Sequence, residues 1–176
     1  MTALARDLGV AAPEIDVLRQ SPLWPDEAEA IVVRAILMAA EAIPDANGEV
    51  AVVLTDDAAI RALNRAWRKL DKPTNVLSFP APQRSAALGM MLPEKAGGAR
   101  ALLGDIVIAY ETTAREAVAD GKPLSHHLAH LAVHGFLHLL GYDHESDAAA
   151  QDMERLEARI LARLDVPDPY LMRDGA

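Results

Sequence analysis

The chain contains no cysteine, and this absence excludes several kinds of chemistry. Disulfide bonds, thiolate zinc sites and cysteine nucleophiles all need a thiol. Aromatic residues are also scarce, at 4% of 176 residues, whereas hydrophobic residues make up 51%. The core must therefore be built mainly from aliphatic side chains.

Two further absences bear on location and partners. No run of about 18 apolar residues is present, and the first ten residues include Arg6 and Asp7, so neither a membrane span nor a signal peptide is predicted. We therefore expect a soluble cytoplasmic protein. A formal net charge of −9 disfavours non-specific binding to nucleic acid, which relies on basic surface. No DNA partner is expected, but a few arginines suffice to contact a few phosphates.

Histidine, by contrast, is concentrated: all six histidines lie within residues 124–144. His134 and His138 are four residues apart with no proline between them, so on a helix both imidazoles leave one face, one turn apart. Gly141 can take the left-handed conformation that ends a helix and turns the chain back. That turn would return His144 towards the pair. Three neutral imidazoles with a fourth position for water are typical of a catalytic zinc site.

The other histidines, His126, His127 and His130, are expected to be packed or hydrogen-bonded residues that line or orient the site. The triad also has the spacing of the metzincin proteases, in which a Glu after the first His is the general base. Here that position is Gly135, which cannot take a proton from a metal-bound water. A zinc metalloprotease is therefore the alternative, not the first hypothesis.

The rest of the chain alternates strand and helix patterns. Strands are predicted at 14–20, 49–54, 76–79 and 102–110, and helices at 26–43, 58–70, 111–120, 125–140 and 147–164. This order predicts an α/β fold, α+β-like in character, with a small mixed sheet of about four strands packed with helices. The histidine helix is apolar nearly all round, so we expect it in the middle of the fold. The order of the strands does not follow from the sequence.

No repeat or linker divides the chain, so residues 1–176 are expected to form a single domain. Residues 1–12 have a weak pattern and are predicted to be a loosely held tail. Residues 81–100 lack periodicity and are predicted to be a long loop, and loops of this length are usually functional or disordered.

The helix predicted at 58–70 is basic. Its positive side chains lie off the apolar face, at Arg61, Arg65, Arg68 and Lys69. Such a basic face is usually only solvated. Here a polar turn and a short strand follow it, so a functional site is weighed equally with a solvated surface. Arg68 and Thr74 could face a common cleft.

Three segments resemble a known family. Residues 134–144, HGFLHLLGYDH, resemble the signature H-G-x-L-H-L-x-G-Y-D-H of the YbeY endoribonucleases, bacterial metal-dependent enzymes of ribosomal RNA maturation. Residues 63–80 resemble a second signature, L-N-x-x-[YW]-R-x-x-D-x-P-T-D-V-L-S-F-P, and residues 103–106 resemble its L-G-D-I strand. The likeness covers about residues 45–170. Asn75 departs from the pattern, which usually has Asp there, but this removes no proposed metal ligand.

The resemblance implies that His134, His138 and His144 bind one divalent metal ion, commonly zinc, and that Arg68 is important for RNA cleavage. Arg68 and His134 are thus the implied catalytic residues. The metal would polarise a phosphoryl oxygen or lower the pKa of a bound water to about 7. Arg68 would stabilise the charge that develops on the phosphate.

The implied activity is hydrolysis of single-stranded RNA in maturation of the small-subunit ribosomal RNA 3′ end and in ribosome quality control. The implied partners are ribosomal RNA and the ribosome or its small subunit. The general base stays open among metal-bound hydroxide, Asp143 and Asp105. Zinc, nickel and manganese share imidazole ligands, so the triad does not choose among them. A non-catalytic ribosome assembly factor with a structural metal is a further alternative.

Overall fold

The computed structural model describes residues 11–81 and 101–171. In these ranges the elements are β1 (Glu14–Arg19), α1 (Ala28–Glu41), β2 (Glu49–Thr55), α2 (Asp57–Arg68), β3 (Val76–Pro80), β4 (Leu102–Ala109), α3 (Tyr110–Ala119), α4 (Leu124–Leu139) and α5 (Asp147–Ala162). All nine predicted elements are confirmed, with ends within two residues of the prediction. The tail predicted at 1–12 and the loop predicted at 81–100 lie almost wholly outside the described residues. No helix within these ranges is both long and apolar enough to cross a membrane.

The strands form one mixed sheet in the order β1-β2-β4-β3. β1, β2 and β4 run parallel, and β3 pairs antiparallel to β4 at the edge. The mixed four-strand sheet confirms the predicted α/β class. Because side chains alternate across a strand, this sheet needs cover on both faces.

Each face of the sheet has its own core. On one face, Ile106 and Ile108 of β4 pack in a large cluster with buried side chains of α1, α4 and α5. On the other face, Val107 and Phe79 form a smaller cluster with Ile60 and Leu63 of α2. The histidine helix α4 is thus sandwiched between the sheet and two other helices, as its apolar surface predicts, whereas α2 lies across the sheet from it.

Gly135 sets how closely α4 approaches the sheet. A Cβ at this position would lie 2.8 Å from Ile106 Cγ2 and 3.2 Å from Ser78 Oγ. The Ser78 hydroxyl donates to the Gly135 carbonyl at 3.2 Å. Any larger residue would force the helix or the strands apart, so glycine here serves packing.

The C-terminal end of α4 lies over one end of the sheet. A Cβ on Gly104, near the start of β4, would sit 2.9 Å from Leu139 Cδ2 and 2.2 Å from the Phe79 carbonyl oxygen. The last turn of α4, which carries His138, is therefore close to the end of β3 and the start of β4.

Candidate metal centre

Three histidines converge where α4 ends. His134 and His138 lie on its last turns, and Gly141, with φ of 96°, reverses the chain after it. The Tyr142 amide closes this turn by donating to the Leu137 carbonyl at 3.1 Å. As a result, the His144 ring lies 5.5 Å from that of His134 and 4.8 Å from that of His138, centroid to centroid.

The triad has the geometry that a metal ion requires. One nitrogen from each ring lies within 4.8 Å of the others, so the group could hold a metal. His134 Nε2 and His138 Nε2 are 3.0 Å apart, close to the roughly 3.3 Å that separates two ligands of one tetrahedral zinc. His144 is exposed and the other two are half-buried, so the site faces solvent on one side.

His138 is suited to ligation by its charge state. Burial lowers the pKa of His138, and the nearby His134 and His144 lower it further, to about 4. At neutral pH the ring is therefore uncharged and has a lone pair to offer. Metal binding at this residue does not have to displace a proton.

Glu157 of α5 supports the triad from inside the protein. This carboxylate is fully buried, with Oε1 2.6 Å from His134 Nδ1 and Oε2 3.1 Å from His130 Nε2. The Tyr170 hydroxyl donates to the same Oε2. Because the Nδ1–H of His134 donates to Glu157, its Nε2 keeps a free lone pair on the side of His138, as in carboxylate–histidine–metal arrangements.

Glu157 is ionised despite its burial. Burial on its own raises the pKa of Glu157, but the hydrogen bonds from His130 and His134 outweigh it, and the pKa falls to about 2. The carboxylate therefore accepts hydrogen bonds from both rings at neutral pH, and it holds His134 in one tautomer.

His130, His134 and Glu157 also form a second group whose ligand atoms lie within 4.8 Å of one another. In this second group the His134 nitrogen that faces Glu157 is Nδ1, whereas the triad uses Nε2. Ions in both groups would need both nitrogens of one imidazole, and the Tyr170 hydroxyl already shares Glu157 Oε2. The second group is better explained as the hydrogen-bonded support of the first.

Glu157 and Tyr170 were not predicted from the sequence, although a signal for Glu157 exists. The buried face of α5 consists of Met153, Leu156, Glu157, Ile160 and Leu161. An acid within an apolar helix face is costly to bury unless it is paired. That position therefore pointed to a buried partner, and His130 and His134 supply it.

Arg68 lies at the end of α2, exposed, across the sheet from α4. Within the described ranges, no hydrogen bond or ion pair joins it to the triad. The adjacent Trp67 ring contacts Phe79, with centroids 6.1 Å apart, and the Phe79 carbonyl adjoins Gly104 next to Leu139. Arg68 and the triad therefore lie near the same end of the sheet but on opposite faces of it, at the edge formed by β3.

The two acids considered as general base differ in position. Asp105 is fully buried, and strand alternation puts its side chain with Val107 on the α2 face, away from the histidines. Asp105 is therefore not placed to act on a group held by the triad. Asp143 is exposed in the turn and accepts a hydrogen bond from the Glu145 amide at 3.2 Å.

Asn75, which precedes β3, is bound to α3. Its Nδ2 donates to Glu116 Oε2 at 2.9 Å, and the same oxygen lies 2.7 Å from His127 Nε2 on α4. A carboxamide fits this position because it offers a donor to an acid. One carboxylate thus joins the start of β3 to the histidine helix.

The fold and the site together define an α/β protein with a histidine triad able to hold a metal ion. The family model described as Endoribonuclease YbeY matches residues 18–165. The chain belongs to this family.

Individual relatives agree with the family match. Endoribonuclease YbeY of Rhodopseudomonas palustris strain BisA53 is 56% identical over 168 residues, covering 93% of this chain and 94% of the relative. The protein of the same name from Bradyrhizobium diazoefficiens is 54% identical over 167 residues, covering 93% and 88%. The solution structure of TM1509 from Thermotoga maritima superposes with a TM-score of 0.52 at 23% identity, covering 86% and 91% of the two chains; this last likeness concerns the fold alone.

Proposed function

We propose that this chain, acting as one domain, is a metal-dependent endoribonuclease that hydrolyses phosphodiester bonds in single-stranded RNA. The observation that carries the proposal is the solvent-facing triad of His134, His138 and His144, with His134 oriented by the buried Glu157. The name Endoribonuclease YbeY, borne by relatives 54–56% identical to this chain, supports it.

The triad would hold one divalent ion, and zinc is our first choice because three imidazoles and an open position suit it. A bound divalent ion supplies Lewis acidity towards a phosphoryl oxygen and lowers the pKa of water. Glu157 keeps His134 in the tautomer that presents Nε2, and the neutral His138 completes the pair on α4.

Arg68 is proposed to stabilise the negative charge that develops on the phosphate, which a planar, always charged guanidinium does well. An RNA strand that crosses the edge strand β3 would meet the triad on one face and Arg68 on the other. Nothing at position 135 favours a protease, because Gly135 is packed against Ile106 and carries no carboxylate.

The biological substrate we propose is ribosomal RNA, at the 3′ end of the small-subunit RNA, with the ribosome or its small subunit as partner. Maturation and quality control of ribosomes in the cytoplasm would then be the setting. The support for this step is the family to which the chain belongs.

The decisive test is cleavage of a single-stranded ribosomal RNA fragment by metal-loaded wild type and by His138→Ala, with metal content measured for both. We expect the variant to lose metal and cleavage together. Stoichiometric metal with no cleavage by the wild type would contradict the nuclease and favour an assembly factor with a structural metal.

A further inference from the structure

Charge is unevenly distributed along this acidic chain. Residues 61–72 hold five of the 17 Lys and Arg and one of the 26 Asp and Glu. This segment therefore carries a formal charge of +4, whereas the rest of the chain carries −13. A local surface of this sign attracts polyanions even when the whole molecule repels them.

The basic side chains share one side of α2 and the turn after it. Arg61, Arg65 and Arg68 are spaced by four and three residues, which aligns them along one helix face. The single acid, Asp71, is occupied by Arg61, with two contacts of 3.0 and 3.3 Å. Within the described ranges, Arg68 and Lys72 form no ion pair, Arg65 has only a longer-range attraction to Asp71, and all three are exposed.

An exposed aromatic ring directly precedes Arg68 on α2. Trp67 is 39% exposed, whereas Trp24, the other tryptophan, is 1% exposed. The edge-on contact with Phe79 fixes the Trp67 ring beside the end of β3. Exposed tryptophan beside unpaired arginine is the combination that binds single-stranded nucleic acid, through base stacking and phosphate contacts.

We propose that Arg65, Trp67, Arg68 and Lys72, the α2 surface, bind the backbone and one stacked base of a single-stranded RNA next to the bond that is cut. This inference rests on the proposed function and adds a binding site across the sheet from the metal centre. The RNA strand passes over β3 because, among the described residues, this edge strand lies between the end of α2 and the end of α4.

Binding of a labelled single-stranded RNA oligonucleotide tests the phosphate contacts. We compare wild type with Arg65→Gln/Lys72→Gln, and the matched control is Arg34→Gln/Arg163→Gln, which removes two cations elsewhere on the molecule. Fluorescence anisotropy is measured across a salt series, with RNA integrity checked afterwards. Two lost phosphate contacts should weaken binding roughly tenfold near physiological salt and reduce the slope of log K against log salt by about 1.4.

A stacking readout tests Trp67 independently. Oligouridine should quench the fluorescence of the wild type, and this quenching should disappear in Trp67→Leu, because Trp24 is buried. Thermal unfolding of each variant checks that the fold is retained. Quenching that persists in Trp67→Leu would overturn the stacking role.

The results of these experiments distinguish failure of the α2 surface proposal from failure of the nuclease proposal. A loss confined to the α2 double variant, with an equal loss of kcat/KM for cleavage and an unchanged metal content, supports the site. Equal weakening by the Arg34/Arg163 control, or no change in the salt slope, overturns it even if the wild type cleaves RNA. A wild type that binds metal but cuts no RNA contradicts the nuclease proposal instead.

Discussion

The two ring nitrogens of His134 face different side chains. Nδ1 lies 2.6 Å from Glu157 on α5, and Nε2 lies 3.0 Å from His138 on α4 itself. A hydrogen bond from Nδ1–H to a carboxylate fixes the tautomer and makes Nε2 a stronger donor to a metal. This residue therefore determines where an ion would sit and how tightly it would be held.

Glu157→Gln should weaken metal binding about 10–100-fold, the usual effect of losing such a supporting residue. A carboxamide can accept from one of the two histidines but presents N–H groups to the other. Competition against a chromophoric zinc chelator measures the affinity. Glu154→Gln, on the same helix but outside the hydrogen-bonded cluster, is the control. If the zinc affinity falls by no more than about twofold, far less than the expected decrease, Glu157 does not support the site.

The sequence allowed residues of the site to be grouped only where they lie close together along the chain. His134, His138 and His144 fall within a short segment, residues 134–144, so helical periodicity and one glycine were enough to bring them together. Glu157 comes from another helix, and its pairing depends on how α5 packs against α4. Arg68 was singled out by resemblance, and its role in cleavage stays a prediction.

At the scale of elements, local pattern defined the helices and strands but not their arrangement. Alternation and capping residues such as Asp56 and Ser146 are readable over a few residues. The insertion of β4 between β2 and β3 depends on contacts between distant segments. For this reason the mixed sheet was predicted and its strand order was not.

Gly135→Ala tests the contact between α4 and the sheet. In an isolated helix alanine would stabilise by about 1 kcal/mol, but here the added Cβ meets Ile106 Cγ2 at 2.8 Å. Overpacking costs about 1–3 kcal/mol, so we expect a net loss of stability in urea unfolding. A variant more stable than wild type would mean that the helix can move away from the strands without penalty.

Asn75→Asp tests the link between β3 and α3. The new carboxylate would face Glu116 Oε2, now 2.9 Å from the Asn75 amide nitrogen, and we expect a loss of about 1–2 kcal/mol at neutral pH. Adding Glu116→Gln should recover part of it, because it removes the repulsion between the two carboxylates. Purely additive effects in this double-mutant cycle would show that the two side chains do not interact.

For the molecule as a whole, a bound metal should act as a stabilising ligand. At a free zinc concentration of about 100 Kd, binding to the folded state alone adds about 2.7 kcal/mol, which raises the Tm by roughly 5–10 °C in a protein of this size. His144→Ala should abolish this shift and leave the metal-free Tm nearly unchanged, since His144 is exposed. Calorimetry with zinc and with chelator measures both. A zinc shift that survives in the variant would remove His144 from the ligand set.

The contact between Glu157 and His134 also has a consequence for synthesis of the chain. A nascent polypeptide that has emerged only to His144 contains all three histidines of the triad, but α5 is still inside the ribosome. Without Glu157, the His134 tautomer would not be fixed, and a metal ion would be held more weakly than in the folded protein. A protein that cuts RNA would thus gain full activity only after α5 has left the ribosome.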